Sequence, residues 1–239
     1  MNHHDTPATV AGEKRSRLEG GALTEEALDS SHAVLGPTGY GQLKGLQQYF
    51  SPPEAAALAC RVITGGEQPS DYAPFVLDPT ADDGALMASW PRARRFGVEI
   101  DPDQIEAGDY TALHGDLQRL YPLMRLAGVR FSAMVCNPPF GLNWQDPATG
   151  RSANSTALCL RFALGLLEDC SQGLLIAGRD RYYREIEPLP EARGVWCTID
   201  CEDLFDGTDL PVTVAFFVQP SNRCEGETLR LSSERTAIA

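Results

Sequence analysis

The sequence predicts an α/β protein with a mostly parallel sheet. Three observations predict it. Short apolar runs at 74–78, 95–101 and 112–117 each carry an acid at the C-terminal end, Asp78, Glu99 and Asp116. A fourth run, 131–136, is stopped by Pro138 and Pro139, which cannot pair in a sheet. Helical patterns at 55–62, 85–90 and 156–167 interleave with these runs.

The bulk numbers bound the answer. With 239 residues, 43% of them hydrophobic, the chain can bury one full α/β core. It has no apolar run long enough to span a membrane. Its first residues are neither a signal nor a transit peptide, so the expected location is the cytoplasm. The seven cysteines are an odd number without metal spacing. Cys197 and Cys201 have no second pair to complete a zinc site. Most of the seven read as small core fillers in a reducing compartment, and no metal is expected. The net charge of −13 opposes unaided nucleic-acid binding, because phosphate contacts need Lys and Arg on one face. Arginines group at Arg92, Arg94 and Arg95, and again at Arg179, Arg181 and Arg184. The first group reads as a solvated helix end. The second follows a strand end, where ligand-facing loops lie.

Residues 1–36 are polar and weakly periodic and read as a flexible arm, with at most a short helix at 24–28. The folded domain is expected over 37–220. Ser51 is a candidate N-cap for the helix at 55–62, with Pro52 at the first helical position and Glu54 as its capping-box partner.

The strand at 74–78 runs into the tight small-residue loop 79–84 and then a helical pattern. This is the first half of a Rossmann-like unit, in which loop backbone and helix N–H groups approach a ligand. Gly84 supplies one flexible position there, and Asp82 is tolerant of positive φ. Glu99 lies about 20 residues beyond the loop, where an acid accepts hydrogen bonds from ribose hydroxyls. The third acid, Asp116, follows Gly115, and His114 reads as a packing histidine.

Asn137-Pro138-Pro139-Phe140 follows the fourth strand. The prolines have no N–H, so carbonyls here remain as acceptors. The Asn137 side chain adds another, and Phe140 offers a flat apolar face. Together they can hold a planar amino group by its two donors and stack the ring that bears it. The stretch 141–152 reads as a loop able to close over an extruded group, with Trp144 as a stacking platform or a hinge anchor. Further strands are expected at 173–178, 194–199 and 212–219, with a turn at 206–211. The tail, 221–239, is polar and expected to fray.

The Asn-Pro-Pro-aromatic segment resembles the catalytic motif of S-adenosylmethionine-dependent amino-methyltransferases, above all the DNA adenine-N6 class. Tyr49-Phe50-Ser51-Pro52 resembles that family's Phe/Tyr-x-Thr/Ser-Pro segment. The 78–84 loop resembles its Asp-Pro-x-x-Gly-x-Gly cofactor loop, with Asp82 standing where the first Gly is usual. Gly-Val-Glu-Ile-Asp-Pro at 97–102 is its usual wording of the second strand. The resemblance covers about residues 42–219, in the order of the group whose cofactor segment comes first.

It implies a class I, Rossmann-like sheet of seven strands, the last antiparallel, with helices on both faces. It implies S-adenosylmethionine held by Tyr49, Phe50, Ser51, Asp78, Thr80, Gly84, Glu99, Ile100, Asp116, Leu117 and Asn137. Catalysis would fall to Asn137, Pro138, Pro139 and Phe140, by direct methyl transfer to a flipped adenine of DNA, in a restriction-modification setting. Specificity would come from a separate subunit or a further domain. Two alternatives remain open. The same motif methylates RNA and the glutamine amide of proteins, and a weakly active partner subunit would keep the fold.

Overall fold

The apolar runs assemble into one sheet in the computed structural model, which describes residues 51–66, 73–202, 204–205, 210–219 and the backbone of Leu229–Ser232. The chain order is α1 (Pro53–Ile63), β1 (Val76–Asp78), β2 (Arg95–Glu99), α2 (Pro102–Ala107), β3 (Thr111–His114), α3 (Leu117–Leu126) and β4 (Phe131–Cys136). Then come β5 (Asn143–Gln145), β6 (Ser152–Asn154), α4 (Ser155–Leu166), β7 (Leu167–Gly178), β8 (Val195–Cys201), β9 (Val212–Val218) and β10 (Leu229–Ser232). Across the sheet the order is β10-β8-β9-β7-β4-β1-β2-β3.

The seven expected strands are present, and β9 runs antiparallel to both β7 and β8. An eighth comes from the tail that the sequence reading kept outside the fold. Leu229 to Ser232 lie opposite Cys197 to Asp200, parallel to β8.

Successive strand residues divide between the two faces, as the pleat requires. Met134 and Cys136 join the core under α3 and α4, with Leu120, Leu158 and Phe162. Ala133 and Val135 join the core under α1, with Ala55, Ala59 and Cys60. Cys60, Cys136, Cys159, Cys197 and Cys201 are buried free thiols, as core fillers should be. No helix among the described residues is long and apolar enough to cross a membrane.

Three local expectations are corrected. The helix at 85–90 is a single 3₁₀ turn, Ala85–Met87, after which Pro91 removes a donor and the segment is too short to propagate. Arg95 compensates by donating to the carbonyls of Trp90 and Ala88. The loop at 141–152 contains β5, which pairs with β6 as an antiparallel hairpin, Trp144 opposite Ala153. Ser51 is not the cap of α1, which begins one residue later, after Pro52, without a side-chain cap. Tyr49, Phe50, the arm and its short helix lie outside the described residues.

The arginine groups are engaged. Arg92 and Arg95 pair with Asp109, and Arg94 lies over the Phe75 ring. Arg179 pairs with Glu202, and Arg181 approaches Glu185 at 3.7 Å.

Candidate active site

The C-terminal ends of β1, β2, β3 and β4 open onto one cleft, the position where open α/β sheets bind ligands. Ten of the cofactor and catalytic residues that the resemblance implies line it: Ser51, Asp78, Thr80, Glu99, Ile100, Asp116, Leu117, Asn137, Pro138 and Pro139. Gly84 and Phe140 do not.

Asp78 ends β1 and is 2% exposed. Its Oδ1 accepts the Thr80 N–H at 3.0 Å. Burial, with Glu99 and Asp82 adding repulsion, pushes its carboxyl up to about 8 against that hydrogen bond. Glu99 ends β2 and accepts three backbone amides, Ile100 and Asp101 on Oε1 and Asp82 on Oε2, each at 2.8 Å. Burial still holds it above the usual carboxylate range. An ionised carboxylate has about four acceptor sites, so three bonds leave capacity for a ligand hydroxyl.

Asp116 caps α3 through Gln118 N–H. Both of its oxygens also receive Gln118 Nε2, and burial raises its carboxyl. Gln118 Oε1 accepts the Gln145 N–H at 2.6 Å, which fastens the hairpin to this acid.

The loop between β1 and the 3₁₀ turn has two left-handed residues, Asp82 at φ 50° and Gly84 at φ 82°. Tyr110 explains both. Its hydroxyl donates to Asp82 O at 2.7 Å. A Cβ on Gly84 would lie 2.6 Å from its ring, so Gly84 faces Tyr110 and not the cleft. Asp82 thus takes the positive φ that the sequence reading allowed it. Burial first, then Glu99, Asp83 and Asp101, push its carboxyl up to about 7.

At the end of β4, Asn137 Nδ2 donates to Ser51 Oγ at 3.3 Å. The Pro139 carbonyl accepts the hydroxyl of fully buried Ser155 at 2.7 Å, so α4 steadies the proline pair. Phe140 is 9% exposed and packs 6.3 Å from Phe205. Trp144 lines the cleft at 6% exposure while packed in the α4-side core, closer to an anchor than to an open platform. His114 bonds the Ile100 carbonyl, the packing role expected of it.

The hairpin is pinned at its turn. Asp146 receives Ala148 N–H, the Thr149 hydroxyl and the Arg161 guanidinium. Burial works against these, yet they hold Asp146 below the usual carboxylate range. Arg161 also binds Glu191 at 2.8 Å.

Sequence reasoning missed Tyr110, Gln118 and Asp101 as site residues. Asp101 and Gln118 sit beside acids already singled out, a usable signal. A lone Tyr110 ahead of a short strand carries none.

The lining is one-sided in charge. Asp78, Asp82, Asp83, Glu99, Asp101 and Asp116 contribute to it, and no Lys, Arg or His among the described residues does. Such a set of acceptors repels phosphate and suits a positively charged ligand.

No protein-family model and no curated protein matches the sequence. Solved structures match the fold. A modification subunit assigned to a type I restriction enzyme of Vibrio vulnificus is similar at TM-score 0.61 and 15% identity, covering 77% of this chain and 47% of that one. The methyltransferase subunit of a type I restriction-modification system from Streptococcus thermophilus is similar at TM-score 0.58 and 18% identity, over 73% of this chain and 45% of that one. A Listeria monocytogenes protein described as a class I S-adenosylmethionine-dependent methyltransferase is similar at TM-score 0.59 and 11% identity, over 87% and 72%. The chain therefore has the Rossmann-like methyltransferase fold, and it spans less than half the length of the two restriction-system subunits.

Proposed function

We propose that the chain is an S-adenosylmethionine-dependent amino-methyltransferase whose acceptor is adenine N6 in DNA. One observation carries the reading. Asn137, Pro138 and Pro139, the segment suited to gripping an amine, line the same cleft as Asp78, Glu99 and Asp116. Two similar structures, described as restriction-modification subunits, support DNA as substrate and a separate specificity subunit as partner.

The residues present fit the cofactor. Asp78 would accept from its ammonium, Glu99 from its ribose hydroxyls and Asp116 from its adenine amino group, with Thr80, Ile100 and Leu117 beside them. When bound, S-adenosylmethionine supplies a methyl group on a positively charged sulfur. Asn137 and the Pro138 carbonyl accept the two N–H hydrogens of the substrate amine. Those bonds draw the nitrogen toward tetrahedral geometry and localise its lone pair. No strong base is needed before transfer, since the nitrogen becomes acidic only as it is alkylated. Positioning and fixed dipoles therefore supply most of the acceleration. A duplex substrate adds an extrusion cost of a few kcal/mol. Leu142 and Trp144 offer apolar surface in the cleft, and Phe140 stacks on a base only by leaving Phe205.

Asn137→Ala tests the reading. Transfer of labelled methyl groups to adenine-containing DNA should stop, while calorimetric cofactor binding stays near that of the wild type. Normal methylation by this variant would remove Asn137 from the mechanism.

The charge of −13 and the paired arginines favour a second reading, a glutamine amide on a protein or an acceptor in a ribonucleoprotein. The same assay run on DNA, RNA and protein separates the two.

A further inference from the structure

Like the other cleft acids, Asp82 has a backbone N–H beside its carboxylate, that of Asp83, but one of its oxygens is left over. Asp78, Glu99, Asp101 and Asp116 each receive backbone N–H groups. Asp82 Oδ1 is buried and has no hydrogen-bond partner among the described residues. The backbone that carries it is fixed at both ends of the residue, its N–H by Glu99 and its carbonyl by Tyr110. A buried carboxylate with one oxygen unpartnered is costly, and a positive charge placed in the cleft offsets part of that cost through space.

We infer that Asp82 makes this cleft select its ligand by charge, favouring the sulfonium cofactor over the uncharged thioether that remains after methyl transfer. The inference rests on the proposed cofactor reading of the cleft. The cofactor carries a sulfonium, an ammonium and a carboxylate, a net positive charge. The thioether keeps only the last two and is neutral overall. One extra unit charge at a separation on the order of 10 Å from a carboxylate, at an effective dielectric of about 20, corresponds to roughly tenfold in affinity. Such a cleft releases its product readily.

Among the described residues, acids and a phenol act on Asp82. Asp78 stands at the end of β1, Asp83 beside it, Glu99 and Asp101 at the end of β2, and Tyr110 before β3. Its carboxyl, raised to about 7, is more fully ionised at pH 8 than at pH 6, so the selection strengthens as pH rises.

Calorimetry on the full chain tests this with S-adenosylmethionine, S-adenosylhomocysteine and an analogue bearing a protonated amine in place of the sulfonium. At pH 8 the wild type should prefer both charged ligands by about tenfold, the figure from the charge argument above. The preference should shrink at pH 6, and Asp82→Asn should reduce it severalfold at pH 8, the part left over being that of the other cleft acids. Equal affinities in the wild type at pH 8, or a preference that Asp82→Asn leaves undiminished, overturns the inference and leaves the cofactor reading intact. If Asp82→Asn fails to fold by circular dichroism, the wild-type pH series decides, and a pH-independent preference overturns it. Binding of none of the three ligands removes the cofactor reading and this inference with it.

Discussion

Asn137 donates through Nδ2 to the Ser51 hydroxyl across 3.3 Å, tying the end of β4 to the residue two places ahead of α1. The bond uses the donor end of the amide, and the acceptor end is the one an amine requires. Ser51 is 8% exposed and does not cap α1, so among the described residues orienting Asn137 is its visible work. Ser51→Ala removes one neutral hydrogen bond, about 1 kcal/mol. Turnover should fall roughly fivefold to tenfold, with cofactor affinity nearly unchanged and Ser51→Thr restoring the rate. Steady-state kinetics beside calorimetry checks this. An unchanged rate in Ser51→Ala assigns Ser51 to packing alone.

Tyr110 is a plug built against three glycines. Added Cβ atoms at Gly84, Gly97 and Gly108 would come within 2.6, 2.4 and 2.2 Å of its ring. Tyr110→Phe keeps the plug and loses the bond to the Asp82 carbonyl, a cost of about 1 kcal/mol. Tyr110→Ala empties the space between the glycines and should cost about 3–5 kcal/mol, as other buried aromatic truncations do. Urea unfolding should rank wild type, Phe and Ala in that order. Gly97→Ala attacks the same contact from the other side, meeting both Tyr110 and the Ala81 methyl, and should cost about 1–3 kcal/mol.

The strands and the cleft acids were legible because each rests on local chemistry. An apolar run ending in an acid marks a buried strand reaching a polar rim, and Asp78, Glu99 and Asp116 all obey that rule. The hairpin at 143–154 was read as loop because its strands have three residues each, too few for period-two alternation to register. Its stability comes from Asp146, Arg161 and Gln118, contacts made across distant parts of the chain. Leu229 and Leu231 alternate with Arg230 and Ser232, a strand pattern overshadowed by the polar residues around it. Ser51 shows the opposite failure. Its surroundings satisfy the capping pattern fully, yet a residue 86 positions away takes its hydroxyl. Gly84 was placed at the cofactor because it matches the second Gly of the cofactor loop that 78–84 resembles, whereas the side chain it makes room for is Tyr110.

The hairpin's hold on the protein offers another test. Arg161 joins Asp146 in the turn to Glu191, and its side chain is 42% exposed. Solvent screens such a pair, so Arg161→Ala should cost no more than about 1 kcal/mol of global stability. Its local effect should be larger. Amide exchange at Trp144 and Gln145 should accelerate, and the acceptor KM should rise while the cofactor Kd holds. If exchange in the hairpin does not change, the Asp146 turn is held by Ala148 and Thr149 alone.

The raised carboxyls in the cleft set the pH dependence of the ligand-free chain. Burial pushes Asp78 up to about 8 and Asp82 up to about 7, both above the ordinary value of 3.8, and raises Glu99 and Asp116 as well. A group whose folded pKa exceeds its unfolded one stabilises the fold fully below the unfolded value. That contribution is lost as pH rises through the folded value. The window therefore runs from about pH 4 to about pH 8, and stability falls across it. Asp146, held low, works in the opposite sense, but its contribution is lost only near and below its unfolded pKa. Thermal unfolding should give a Tm several degrees higher at pH 5.5 than at pH 8. A saturating cationic ligand should flatten the slope, because it stabilises the ionised acids. A Tm that rises with pH over this range would mean that the cleft acids are ionised and compensated in the free protein.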